Sequence, residues 1–388
     1  MTPLQICAAV VCAVAALLDG AGAHASSVNP VRDDEVIEVL PATSGIRAEI
    51  RRLRRMLAAD ARDARSAVQL SQLYLEQART EGDPRFVGQA LALLGAWPRA
   101  SDAPDEVLLM LATLQQFLHD FDTSAANLEQ LVARRPGHAQ AWLTLATVRR
   151  VQGRYAASDS ACKGVAAAGA AAHAAACQAE NDSLRGDFDG ARKALNALLA
   201  DTRLQSPAMR NWLLTTLAES EARAGQNGPA EAAYRLALQA QADGYTSLSF
   251  ADFLLHQKRF SDAAREMQNQ PRTDAALLRL AITGVKTQSA SAVGDVRELR
   301  ERMAQANLRP DARTTHAREQ ALFALWIDNQ PRKALELARI NVRHQREPLD
   351  VLVLAQAAAA GKDAAAQREA AALAGAMGLR DVRLDALR

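Results

Sequence analysis

From residue 105 to about 244, apolar residues fall three and four positions apart and then repeat. Leu108, Leu111 and Ala112 form one stripe, Trp142, Leu145 and Ala146 a second, and Leu214, Leu217 and Ala218 another. That spacing marks one face of an amphipathic helix. A second stripe follows each: Phe121-x-x-Ser124-x-x-x-Leu128, then Tyr155-x-x-Ser158 with Cys162 and Val165, then Phe188-x-x-Ala191-x-x-x-Leu195, then Ala230-x-x-x-Tyr234-x-x-Ala237. Gly153, Gly186 and Gly225 stand where the first helix must stop, and glycine tolerates the left-handed conformation of a helix C-cap. The pairs predict helical hairpins recurring about every 34 residues. One hairpin cannot bury its own apolar face, so neighbours must stack. No strand-like alternation of useful length occurs, and the chain reads as all-α.

The pattern extends, less regularly, to both sides. Leu70, Leu73 and Tyr74, followed by Phe86, Ala90, Leu93 and Leu94, predict a divergent first hairpin closed by Trp97-Pro98. Before it, Ile50, Leu53 and Leu57 make a narrow seam among Arg47, Arg51, Arg52, Arg54 and Arg55. This predicts a solvated capping helix; attachment to anionic lipid or an acidic partner is the alternative. Beyond residue 244 the stripes predict hairpins from Tyr245, Leu277, Ala321 and Val351 onward. The expected organisation is therefore a cap with a divergent first repeat over 45–104, well-formed repeats over 105–271, and eroded repeats with a C-terminal cap over 272–388.

The motifs from Leu108 to Leu238 resemble the tetratricopeptide repeat. The resemblance implies a right-handed superhelical solenoid that binds a protein segment in its concave face, lined by the first helices. It also implies which side chains point there. Carried onto this chain, the ninth repeat positions are Glu180, Glu219 and Asp252, the second positions include Trp212 and Tyr245, and His256 is a thirteenth. Three carboxylates with two aromatic neighbours suit a basic or amphipathic protein or peptide partner. The same residues can also form a solvated acidic face with Arg150 and Arg223 as counter-charges. The family's clamp for a peptide carboxylate uses Lys, Asn and Arg, and this chain lacks that set. The run Asp83-Pro84-Arg85-Phe86-Val87-Gly88-Gln89-Ala90 is similar to exported members of Gram-negative bacteria, a group without a defined activity.

Composition narrows the remainder. With 46 basic and 44 acidic residues, a net charge of +2 gives no electrostatic case for a nucleic-acid partner. An apolar fraction of 49% excludes wholesale disorder. Residues 1–25 read as a signal peptide, with an apolar core from Ala8 to Leu18 and Ala23-His24-Ala25 as cleavage site, although no Lys or Arg precedes the core. Residues 26–44 read as a leader without a helical stripe. Export to the periplasm is expected, with no membrane span after signal cleavage; the alternative is an inner-membrane anchor formed by an uncleaved N-terminal segment. Cys162 and Cys177, in the second helix of one unit and the first helix of the next, are a candidate disulfide pair in an oxidising compartment, or two small core residues.

Chemistry-bearing motifs are nearly absent. No Cys-x-x-Cys, His-Glu-x-x-His or phosphate-binding glycine loop occurs, and no two His residues stand four apart. Ser160-Ala161-Cys162-Lys163 spells Ser-x-x-Lys, but inside a predicted second helix and without Ser-Asp-Asn or Lys-Thr-Gly. No catalytic residue, cofactor or metal is expected. The reading is a non-enzymatic scaffold or adaptor; the alternatives are a structural subunit of an envelope secretion or polysaccharide-export assembly, and an enzyme with an unrecognised site.

Overall fold

The computed structural model describes residues 45–308 and 316–387; the expected signal peptide (1–25) and leader (26–44) lie outside the described residues. Residues 49–388 form one compact unit, and only 45–48 of the other unit are described. Helix α1 spans Ile46–Ala59. Among the described residues nine hairpins follow: α2 (Ala64–Glu81) with α3 (Arg85–Leu94), α4 (Asp105–Phe117) with α5 (Phe121–Arg134), α6 (Ala139–Val151) with α7 (Tyr155–Ala167), α8 (Ala171–Leu184) with α9 (Phe188–Ala200), α10 (Pro207–Arg223) with α11 (Asn227–Ala240), α12 (Gly244–His256) with α13 (Phe260–Met267), α14 (Asp274–Thr287) with α15 (Ala292–Ala306), α16 (Ala317–Trp326) with α17 (Pro331–Asn341), and α18 (Pro348–Ala360) with α19 (Ala364–Met377). A single turn, α20 (Val382–Asp385), ends the series. No strand occurs among the described residues, and the architecture is the all-α repeat solenoid expected from the stripes.

Local chemistry sets the helix ends. Asp120 and Asp187 accept the backbone N–H groups of Thr123 and Gly190 at the starts of α5 and α9. Ser206, Asp243 and Thr273 do the same for α10, α12 and α14. Each satisfies a donor that the first helical turn leaves free, worth about 1 kcal/mol. Gly153, Gly186 and Gly225 adopt φ of 72°, 96° and 77°, the left-handed conformation expected at the stops.

Stacking builds two large apolar clusters. One runs from Ile50 to Cys177 and the other from Tyr155 to Leu384, so they meet at α7 and α8. The array also turns back on itself. The backbone N–H of Arg346 donates to the Val151 carbonyl at 2.7 Å, and that of Arg380 to the Leu184 carbonyl at 2.9 Å. Val382 packs at Gly225, and Gln356 Nε2 approaches His256 Nε2 at 3.4 Å. The last hairpin and α20 thus lie over the turns that end α6, α8 and α10. Among the described residues no helix is long and apolar enough to cross a membrane.

Candidate partner-binding surface

Four successive hairpins are each held tight at one small residue. Ser124, Ser158, Ala191 and Ala230 are buried where the two helices of their hairpins approach. The Ser124 hydroxyl donates to the Ala112 carbonyl at 2.8 Å, and Ser158 to that of Ala146 at 2.9 Å. A larger side chain at any of these positions would separate the helices. Small residue, left-handed turn and hairpin repeat coincide in successive units. The array is tetratricopeptide-like.

Comparison with known proteins gives the following. No family model and no curated protein matches the chain. Among solved structures it is similar to a tetratricopeptide repeat protein from Parabacteroides merdae ATCC 43184, at 14% identity over 60% of this chain and 90% of that one, with a TM-score of 0.48. It is also similar to pilF of Pseudomonas aeruginosa, at 14% identity over 51% of this chain and 90% of the other, TM-score 0.37. A third likeness is to the TPR domain of P58(IPK), at 13% identity over 77% and 98%, TM-score 0.27.

In this tetratricopeptide-like array the first helices of successive hairpins lie side by side, α8 against α10 and α10 against α12. The six residues that the register singles out all stand on these three helices. Their surroundings differ from one to the next. Glu180 is bound by Arg150 of α6, whose Nε lies 3.0 Å from Oε1. The same guanidinium, itself buried, donates to Asn181 Oδ1 at 3.0 Å. Asp252 receives both arms of Arg279 from α14, at 2.9 and 2.6 Å. Two of the three ninth-position carboxylates are therefore neutralised by an arginine from an adjacent first helix.

Glu219 is held differently. It accepts from the Tyr245 hydroxyl at 2.8 Å and from Ser249 Oγ at 2.9 Å, and Ser249 in turn bonds the buried Tyr234 hydroxyl at 2.8 Å. Burial raises the Glu219 carboxyl above the usual carboxylate range, against the opposing charge of Arg223 and the bonds from Tyr245 and Ser249. The Glu219 charge, more than burial, pushes the Tyr245 hydroxyl well above its ordinary value. Tyr245 is consequently a neutral donor fixed on the Glu219 carboxyl group. Its ring remains available: Tyr245 is 59% exposed, with its hydroxyl tethered at one end.

Trp212 stacks on His173 of α8, with ring centroids 5.9 Å apart and planes inclined by 26°. His256 belongs to a different environment. It faces Gln356 of the last hairpin, and burial, reinforced by Arg383, lowers its pKa to about 4. The structure therefore places Glu180, Glu219 and Asp252 in a row of bonded carboxylates, leaves Tyr245 exposed beside them, half-buries Trp212 against the core, and puts His256 against the chain's own C-terminal region. Arg279 and Ser249 were not singled out from sequence. Arg279 lies 27 residues beyond Asp252, less than one repeat onward, and that spacing is the signal that could have paired them.

Cys162 and Cys177 are joined as a disulfide between α7 and α8, with Cα atoms 5.8 Å apart and both sulfurs in the core. The bridge crosses the junction at which Arg150 meets Glu180. Lys163 and Ser160 of the Ser-x-x-Lys run lie on α7, where Ser160 Oγ donates to the Ala156 carbonyl. No group of three or more His, Cys, Asp or Glu among the described residues is placed to hold a metal ion.

Proposed function

We propose that this protein is a scaffold of the periplasm that receives an amphipathic protein segment along the first helices α8, α10 and α12. The observation that carries the reading is Tyr245, an exposed aromatic ring pre-positioned by its bond to Glu219. An aromatic side chain whose rotamer is already held loses little conformational entropy on binding, which is why such residues act as anchors at interfaces. Trp212, fixed against His173, supplies a second apolar surface of the same kind.

The acidic row changes meaning in this setting. Because Arg150 and Arg279 already neutralise Glu180 and Asp252, a strongly basic ligand gains little from them. Apolar contact with the two aromatic rings supplies the affinity, and Glu219 supplies direction. The N-terminal pattern of residues 1–25 and the Cys162–Cys177 pair support an exported setting, since disulfides persist in oxidising compartments.

The test begins with affinity capture of the tagged protein from its own envelope fraction, followed by calorimetry with the purified partner. Trp212→Ala with Tyr245→Ala should weaken binding at least tenfold without lowering the melting temperature by more than a few degrees. Unchanged affinity for every captured partner would remove the inner face as the binding surface.

A further inference from the structure

A buried alanine marks the same level of successive first helices: Ala146 on α6, Ala179 on α8, Ala218 on α10, Ala251 on α12 and Ala281 on α14. Glu180, Glu219 and Asp252 each stand directly after theirs. Arginine reaches this row from two places. Arg150, four residues after Ala146, pairs with Glu180 on the following first helix, Nε to Oε1 at 3.0 Å. Arg279, two residues before Ala281, donates to both oxygens of Asp252 on the preceding first helix, at 2.9 and 2.6 Å. Beside Glu219 both places hold serine. Ser183 stands four residues after Ala179, and Ser249 two residues before Ala251.

Glu219 is accordingly the carboxylate of the row to which no arginine is paired among the described residues. Tyr245 and Ser249 both donate to its Oε1, and its Oε2 makes no bond among the described residues. The two arginines whose charge reaches Glu219 are engaged elsewhere. Arg223, one turn on along α10, donates to Ser183 Oγ at 2.7 Å, and Arg383 is paired with Asp381. The exposed Tyr245 ring stands beside this carboxyl group, fixed on it by the phenol hydroxyl. A carboxylate oxygen only accepts, and the face of an aromatic ring carries negative potential, so both attract a cation. A guanidinium can meet both at once, because its planar fork bonds an oxygen while its face lies on a ring. Burial disfavours the Glu219 charge, and in such surroundings an opposite charge acts more strongly than at an open surface.

We propose that the segment received along α8, α10 and α12 places one arginine on Glu219, its guanidinium bonded to Oε2 and lying on the Tyr245 ring. The inference rests on the reading of that surface as the binding face. The partner then supplies at Glu219 the arginine that the chain itself supplies to Glu180 and Asp252. This narrows the partner to a segment with a single basic residue among apolar ones, in place of a basic stretch. Further cations would meet carboxylates already neutralised, with Arg150 and Arg279 beside them.

The first test uses N-acetylarginine methylamide as probe and N-acetylcitrulline methylamide as its neutral isostere, each titrated into the full chain carrying 3-fluorotyrosine. Of the four tyrosines, Tyr74, Tyr155 and Tyr234 are buried and Tyr245 is exposed; Tyr245→Phe identifies its fluorine signal. The arginine probe should shift that signal saturably, and the citrulline probe should bind at least tenfold more weakly. Glu219→Gln should weaken the arginine probe at least tenfold while the chain stays folded. Ser249→Arg, which gives Glu219 the kind of neighbour that Asp252 has in Arg279, should do the same. The inference is overturned if the two probes bind alike, if neither moves the signal, or if folded Glu219→Gln retains the arginine probe. The second test uses the captured partner. Replacing the arginine of its bound segment with glutamine should cost at least tenfold in affinity for the protein and little for Glu219→Gln. Equal cost in both overturns the inference and leaves the binding face standing. Full capture by Trp212→Ala with Tyr245→Ala would instead remove the binding face, and the placement of the segment's arginine with it.

Discussion

Nine hairpin turns do the same geometric work, but they are built from two kinds of residue. In hairpins one, three, four and five the left-handed residue is Gly82, Gly153, Gly186 or Gly225; in the others it is His119, Lys258, Gln288, Asn329 or Lys362. The backbone angle alone does not explain the division, since φ is positive at all nine. The neighbours do. A Cβ at Gly186 would lie 2.8 Å from Arg380 Cγ, and one at Gly225 would lie 3.2 Å from Val382 Cγ2. At Gly153 it would meet Met377 Cε at 3.1 Å and Arg346 Cβ at 3.2 Å, and at Gly82 it would meet Thr273 Cβ at 3.1 Å. Lys258, Gln288, Asn329 and Lys362 are exposed, with room for their side chains. Glycine thus stands at four turns against which another part of the chain packs, and the exposed turns tolerate a polar side chain; His119 is the exception, a non-glycine residue at a half-buried turn that faces Arg318, Glu319 and Glu347.

Removing the covering segment should produce the largest effect. A chain ending at Met377 loses the buried Leu379 and Leu384. At roughly 1.5–3 kcal/mol for each fully buried leucine, the loss is about 3–6 kcal/mol as an upper bound. Chemical denaturation should show it as a lower midpoint, with α8 and α10 becoming protease-sensitive at their C-terminal ends. Stability unchanged by this truncation would mean that α20 merely rests on the turns.

Gly186→Val comes next. A left-handed residue costs roughly 1–3 kcal/mol for a branched side chain, and crowding against Arg380 adds roughly 1–3 kcal/mol. The sum is about 2–6 kcal/mol in the full chain. In the chain ending at Met377 the crowding contribution should vanish, leaving the strain alone. A double-mutant cycle measures the difference, and equal costs in both backgrounds would show that backbone angle alone demanded the glycine.

Acid should expose the same contact through His256, which lies where α12 meets the last hairpin. Its folded pKa of about 4 is below the ordinary histidine value, because burial and Arg383 disfavour the charged ring; Asp381 and Asp252 oppose them. The unfolded chain therefore binds a proton first as pH falls. The stability that this depression confers is fully present above about 6.5 and is lost progressively as pH falls toward 4. Between pH 6.5 and 5 the loss from this residue is up to about 2 kcal/mol. His119, also lowered chiefly by burial, acts in the same direction, whereas Asp350, raised by burial to about 6, opposes it. The measurement is accordingly the difference in pH slope between the protein and His256→Gln, and identical slopes would refute the assignment.

The smallest effect belongs to Lys362→Gly, at an exposed turn with φ of 53°. Relief of left-handed strain and the added flexibility of the unfolded chain nearly cancel, so the melt should move by the equivalent of no more than about 0.5 kcal/mol. A large gain in stability there would show that the uncovered turns are also strained.

Much of the fold is legible along the chain. Helical hairpins follow from apolar residues three and four apart, because a 3.6-residue helix brings such positions onto one face. The stops at Gly153, Gly186 and Gly225, and the small residues Ser158 and Ala191, carry the hairpin geometry locally. Glu180, Glu219 and Asp252 could be placed on adjacent first helices for the same reason: register along a repeat is a local property. Their bonding states were not legible. Glu180 and Asp252 resemble each other in sequence and in outcome, yet Glu219, at the same repeat position, is held by a tyrosine and a serine.

Sequence alone dictates an all-α repeat array and the helix on which each polar residue stands, since both depend on spacing within some tens of residues. Tertiary structure decides what those residues meet. The return of Arg346, Arg380 and Val382 onto turns about 150–200 residues earlier in the chain follows from the small rotation added at each stacked unit. That rotation accumulates over the array and is written in no single repeat. It covers His256, leaves Tyr245 open, and turns three glycines from simple helix stops into contact points.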